Sequence, residues 1–308
     1  MGYSLSPLPG QSEFGVVVTG FTPEMIGDPK IRKDIYDLWI DKGLVVFKDL
    51  SGLETHIKLS EIFGEPEEHP LLRGVDVPRE DKLIVNIDQD AGGAYMVEGE
   101  ERRGWLAWHK DSIYTDTINH GGILSAIAVP ERGGETGFID QVAAYNALPD
   151  DLKERIEGLN VVYRFTTDSW ESKFGHKPEA RLNLTDVMVK ISDHYKATLV
   201  RAIHPMVVVQ PETGRKFVNV SPWFADGIEG MENEEGDALL REVIEHNTRP
   251  ERAYFHHYTP GEMVLWDNWR MLHCAGGTPP GMKRHMRRTT ITGDYGRGRK
   301  EEVAVAAE

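Results

Sequence analysis

The chain is nearly without cysteine: Cys274 is the one such residue among 308. An internal disulfide is therefore impossible, and a cysteine-rich zinc site is excluded. Basic residues are also in deficit, with 35 Lys and Arg against 50 Asp and Glu, a formal charge of −15. Nucleic acid and anionic membranes need a basic face, so neither is an expected partner. A small anion stays compatible, because a few local arginines outweigh the global field at short range. No apolar run approaches the roughly 20 residues that span a bilayer. Met1 to Phe14 lacks a basic segment followed by an apolar stretch, so no secretion signal is expected. These absences lead to the expectation of a soluble cytoplasmic protein. No repeat or low-complexity linker divides the chain, so residues 1–308 read as a single domain able to bury an extensive core.

What is present is a series of short apolar segments. Asp28-Pro29 predicts a helix start, with Asp as N-cap and Pro in the first turn. Ile31, Ile35, Leu38 and Trp39 then share a face, and Gly43 supplies the left-handed residue that ends the helix. Leu44 to Phe47 reads as a buried strand, and a second helix is expected from about Glu54 to Phe63. Strands are expected at Lys82 to Ile87, Gly122 to Val129, Leu199 to Val209, Lys216 to Val220, Glu262 to Trp266 and Arg287 to Gly293. Helices from about Pro149 to Glu157 and Asn233 to Glu245 interrupt them. Many short strands with turn-rich joins predict a mainly β chain with peripheral helices and a jelly-roll core. The segment Asp88 to Gly104, rich in Gly and Glu, is expected to be a mobile loop near an active-site mouth.

Within Trp108-His109-Lys110-Asp111-Ser112 lies a His-x-Asp triplet. On a strand, residues i and i+2 face the same way, so His109 and Asp111 can reach one ion. With a second imidazole they would make the two-histidine, one-carboxylate set of non-haem Fe(II) oxygenases, which leaves coordination positions open. One such triplet carries little weight in a chain with 12 His. His273, at the end of the apolar run Met263 to Leu272, is the leading partner; His204 and His256-His257 also sit beside strands. A core histidine bonded to backbone is the competing reading of His273. Arg284 follows His273 by 11 residues and Arg288 by four more, a spacing that aims both guanidinium groups to one side of a strand. Arginine binds carboxylates in a planar two-point contact. A solvated basic edge formed by Arg284, Arg287 and Arg288 is the alternative.

Together, Trp108-His109-Lys110-Asp111, Gly133-Gly134-Glu135-Thr136, Trp266-Asp267-Asn268…His273 and Arg284…Arg288-Thr289-Thr290-Ile291 resemble the taurine dioxygenase family. This 2-oxoglutarate-dependent group includes the chlorophenoxyacetate dioxygenases. Phe63-Gly64-Glu65…His69-Pro70 extends the similarity to the range Glu13 to Asp294. The resemblance implies a double-stranded β-helix core, with His109, Asp111 and His273 as ligands of Fe(II). It implies that Thr136 and Arg284 hold the distal carboxylate of 2-oxoglutarate, and that Arg288 receives an acidic group of the substrate. It makes His69 a substrate contact. The implied reaction uses 2-oxoglutarate and O2 to hydroxylate a substrate C–H, releasing succinate and CO2, with C–heteroatom cleavage where the product is unstable. A dimer or tetramer is the implied assembly.

The chain departs from the taurine enzymes at two places. Leu71-Leu72 stands where those enzymes carry a tyrosine, and Trp105 where they carry an asparagine. Apolar groups in place of hydrogen-bonding ones favour a larger, partly apolar acid: a sulfonate, a sulfate ester, or a carboxylate such as an aryloxyalkanoate. A jelly-roll hydrolase or isomerase using zinc or manganese, and a family variant that desaturates its substrate, remain the alternatives.

Overall fold

The computed structural model describes residues 2–11, 13–68, 82–88 and 92–302. Two sheets form its core. The larger, of 8 strands, runs Ser4–Ser6, Val16–Thr19, Leu44–Phe47, Met263–Asp267, Gly121–Ala128, His285–Ile291 and Pro66–Glu67, with Val85–Asp88 also paired to His285–Ile291. The smaller, of 4 strands, runs Tyr254–His256, Thr136–Asp140, Met271–Ala275 and Leu106–His109. Chain neighbours alternate between the two: Met263–Asp267 lies in one and Met271–Ala275 in the other. This is the jelly-roll arrangement that the strand pattern predicts.

The sheets meet through one buried cluster. Leu44, Val46, Leu124, Val264, Trp266 and Met286 of the larger sheet join Phe138 and Met271 of the smaller. The far side of the larger sheet, through Val45, Phe47, Ile123 and Leu265, is covered by the first helix with Ile35, Trp39 and Ile40. That helix, Pro29–Lys42, begins as its sequence dictates. Asp28 Oδ1 accepts the Lys30 and Ile31 N–H groups at 2.8 and 3.3 Å. Gly43, at φ 73°, donates its N–H to Trp39 O at 2.7 Å. The left-handed turn makes glycine the low-cost residue there. Trp39 has no exposed surface, and truncating such a side chain costs roughly 3–5 kcal/mol.

One expectation needs correction. Leu199 to Val209 is not one strand but two, Ala202–Pro205 and Val207–Val209, lying in different sheets. The break falls at Met206, whose N–H goes to Leu159 O and whose carbonyl accepts from Asn219 N. Within the segment expected to form a mobile loop, the described residues 92–104 hold a hairpin, Ala94–Val97 with Glu100–Arg103, and Ala180–Asn183 adds a third strand. Its turn is Glu98-Gly99, both at positive φ (52° and 74°), the conformation that matches the twist of two-residue hairpins. A helix absent from the sequence reading, Asp186–Thr198, follows; Thr185 Oγ1 caps it by accepting from Met188 N. No helix among the described residues is long and apolar enough to cross a membrane.

Candidate active site

Strand register brings the first two candidate ligands together. His109 ends the strand Leu106–His109 and lies directly opposite His273 of Met271–Ala275 in the antiparallel pairing. Direct cross-strand partners are the nearest neighbours a sheet offers, and the two imidazole centroids are 4.2 Å apart. Asp111 arrives differently from the strand alternation expected of His-x-Asp. The strand has already ended, and Asp111 sits in a turn followed by Ser112 at φ 58°. Ligand atoms of His109, Asp111 and His273 all lie within 4.8 Å of one another. His109 Nε2 is 3.7 Å from Asp111 Oδ1, and His273 Nε2 is 3.4 Å from Asp111 Oδ2.

The turn is pinned on every side. A single amide, Asn268, accepts the Asp111 N–H at 2.9 Å and donates to the Asp111 carbonyl at 3.0 Å. Ser221 Oγ accepts the Lys110 N–H at 3.0 Å. The fully buried Lys110 points away from the ligands; its ammonium donates to Val218 O, Asn219 Oδ1 and Trp269 O and lies over the Phe217 ring. Burial pushes Lys110 down to about 7.

His109 Nδ1 is 2.7 Å from Ala107 O. A carbonyl only accepts, so Nδ1 carries the hydrogen and the Nε2 lone pair faces the cluster. Burial, with His273 nearby, lowers His109 to about 3, so it is neutral, the form that binds metals. Burial by itself would raise the Asp111 carboxyl. The Arg288 guanidinium and the two histidines outweigh it and hold the group well below the usual carboxylate range. Two imidazoles and an ionised carboxylate on one side of a cavity fit a divalent metal with open positions.

Around the cluster lies an inner chamber of about 120 Å³, also lined by Thr136, Arg284 and Arg288. Thr136 opens the strand Thr136–Asp140, and Arg284 immediately precedes His285–Ile291, with Nε donating to Gly134 O at 3.2 Å. Arg288 Nη2 donates to Asp111 Oδ2 at 2.8 Å, while its buried Nε has no partner among the described residues. Arg284 and Arg288 therefore serve the same cavity rather than a solvated edge. An outer cavity of about 380 Å³ shares His109, Asp111 and both arginines. Tyr114, Phe165, Met188, Ile191, Trp223 and Phe224 give it an apolar wall. Asp88, Gly92, Arg103 and Gly104 also border it.

Two of the competing histidines, His204 and His256, are occupied elsewhere. His204 Nε2 is bound to Thr115 O at 2.7 Å, and His256 Nε2 is 3.3 Å from Glu262 Oε1. His69 lies outside the described residues. Sequence reading missed Asn268, Lys110 and Tyr258, although Asn268 and Lys110 belong to the motifs it quotes. Tyr258 carries no motif; its hydroxyl donates to Thr136 Oγ1 at 2.9 Å.

Comparison with known proteins agrees with this geometry. Residues 4–290 match the model of the taurine catabolism dioxygenase TauD, TfdA family. An (S)-phenoxypropionate/alpha-ketoglutarate-dioxygenase of Sphingobium herbicidovorans is 33% identical over 299 residues, 95% of this chain and 96% of its own. An alpha-ketoglutarate-dependent 2,4-dichlorophenoxyacetate dioxygenase of Cupriavidus pinatubonensis is 30% identical, covering 88% of this chain and 91% of its own. The crystal structure of a taurine dioxygenase from Burkholderia xenovorans superposes with a TM-score of 0.74 at 25% identity, covering 98% of this chain and 95% of that one. The chain belongs to the TauD, TfdA family and is a 2-oxoglutarate-dependent dioxygenase.

Proposed function

We propose that the enzyme hydroxylates a C–H bond of a small, partly apolar organic acid, with Fe(II) held by His109, Asp111 and His273. The observation that carries this reading is one chamber holding two imidazoles and a carboxylate together with a hydroxyl–guanidinium pair, Thr136 and Arg284. When bound, Fe(II) with 2-oxoglutarate and O2 supplies the oxidising power, one oxygen atom going to the substrate carbon and one to succinate as CO2 leaves.

The chain's own residues do the placing. Thr136 and Arg284 donate to the distal carboxylate of the cosubstrate, a charge-assisted pair of contacts. Arg288 spends Nη2 on Asp111, keeping that ligand ionised, and offers its unpartnered Nε to the substrate's acid group. Tyr114, Phe165, Met188, Ile191, Trp223 and Phe224 bury the apolar body and exclude water. Anchoring the acid end fixes which carbon is presented. His69 is proposed as a further substrate contact, and the chain as one dioxygenase domain with residues 88–104 at the mouth. The relatives named for phenoxypropionate and 2,4-dichlorophenoxyacetate support an aryloxyalkanoate or similar acid.

The test is a panel of carboxylates, sulfonates and sulfate esters, with aryl or small alkyl bodies, scored for substrate-triggered succinate release. Aryl acids should trigger release, taurine should do so weakly, and neutral esters of the same bodies should not. Arg288→Ala should raise the KM of the triggering acid at least about tenfold. Equal triggering by acids and their neutral esters would overturn the reading.

A further inference from the structure

Tyr258 lies just beyond the strand Tyr254–His256, with its ring buried at 9% exposure. Its hydroxyl donates to Thr136 Oγ1 at 2.9 Å, and Thr136 is buried in turn at 4% exposure. A hydroxyl has one hydrogen to give. Tyr258 gives its hydrogen to Thr136. The Thr136 oxygen accepts it, so the Thr136 hydrogen must be donated elsewhere. No described residue takes it, although Thr136 lines the inner chamber beside Arg284.

The phenol is held in place from behind. Its ring stands edge-on to His256, with centroids 4.7 Å apart and planes at 85°. His256 is fixed between the Tyr254 hydroxyl, 3.1 Å from Nδ1, and Glu262, which also accepts from Lys48 and from the Thr259 N–H. Burial lifts the Tyr258 phenol to about 12, so it remains a donor across the working pH range.

We infer that Tyr258 is a positioning residue for the cosubstrate: it fixes Thr136 as a donor aimed into the chamber, so that Thr136 and Arg284 present their hydrogens to one carboxylate. The inference rests on the proposed binding of the distal carboxylate of 2-oxoglutarate by that pair. Without the phenol, the Thr136 hydroxyl becomes a free rotor whose oxygen competes with its hydrogen for the chamber. A linked chain of donors also polarises each member, which strengthens the last bond, the one to the charged acceptor.

The experiment is a double-mutant cycle read by binding. Fe(II)-loaded protein is titrated anaerobically with 2-oxoglutarate, following the visible charge-transfer band of the chelate, for wild type, Tyr258→Phe, Thr136→Ala and the double variant. Tyr258→Phe should weaken half-saturation about five- to tenfold, the loss expected for one neutral hydrogen bond. The double variant should be no weaker than Thr136→Ala by more than about twofold, because Tyr258 acts only through Thr136. Fe(II) binding measured without 2-oxoglutarate should be the same in wild type and Tyr258→Phe, which excludes general misfolding as the cause. An unchanged half-saturation in Tyr258→Phe, or additive losses in the double variant, overturns the role of Tyr258 alone. A wild-type protein that develops no band overturns the cosubstrate site and this inference with it.

Discussion

The two walls of the cavity are built on different physics. The wall bearing His109 and Asp111 is a polar clamp in which backbone groups of the turn are taken by Asn268 and Ser221, and Lys110 is buried on three oxygen acceptors. The wall opposite is apolar, and part of it comes from the helix Asp186–Thr198. That helix brings Val187, Met188 and Ile191 to the cavity, while Val189 stands 42% exposed. Its polar ties include the Thr185 cap, a Thr167 hydroxyl on Met188 O and an ion pair of Lys196 with Glu171. Directional bonds fix the ligand turn in one geometry, whereas dispersion and burial tolerate many shapes of similar volume. Under the proposed function, the first wall sets the reaction and the second selects the molecule that undergoes it.

This contrast breaks if the polar wall can lose a member without consequence. Lys110→Met removes one ammonium and leaves three buried acceptors without a donor. The expected loss is about 3 kcal/mol of folding stability, read as a lower urea midpoint for the metal-free protein. Lys110→Arg should not restore it, because a planar guanidinium does not fit the space of a compact ammonium. A midpoint within error of wild type would show that the turn is held without Lys110. A smaller effect sharpens the other side. Ile191→Ala should raise the KM for an aryl acid several-fold, about 1 kcal/mol, with the 2-oxoglutarate requirement unchanged. An equal rise for a small acid such as taurine would mean that Ile191 supports the site rather than selecting substrate.

The legibility of the sequence follows the same division. Asp28 and Gly43 announce the first helix because caps are local chemistry, and the apolar strands Met263–Asp267 and Gly121–Ala128 declare themselves by composition. His109, Asp111 and His273 were recognisable because the motifs around them occur together and in order. The geometry that joins them, a cross-strand pair plus a turn, was not, since register depends on both sheets. Glu98-Gly99 makes a hairpin turn without the Asn-Gly or Asp-Gly signal, and so the segment read as a loop. In the helix Asp186–Thr198, Val187, Val189 and Ile191 alternate with a period of two, which obscures the helical repeat. Tyr258 was invisible for a different reason. Its partner Thr136 is 122 residues away, and only the pairing of Tyr254–His256 with Thr136–Asp140 brings them into contact.

The most direct test adds Fe(II) and then 2-oxoglutarate to metal-free protein under nitrogen, in wild type and in His273→Ala. A visible charge-transfer band is expected in the wild type, requiring both additions, and none in His273→Ala. No band in the wild type, or an equal band in His273→Ala, would contradict the proposed metal site.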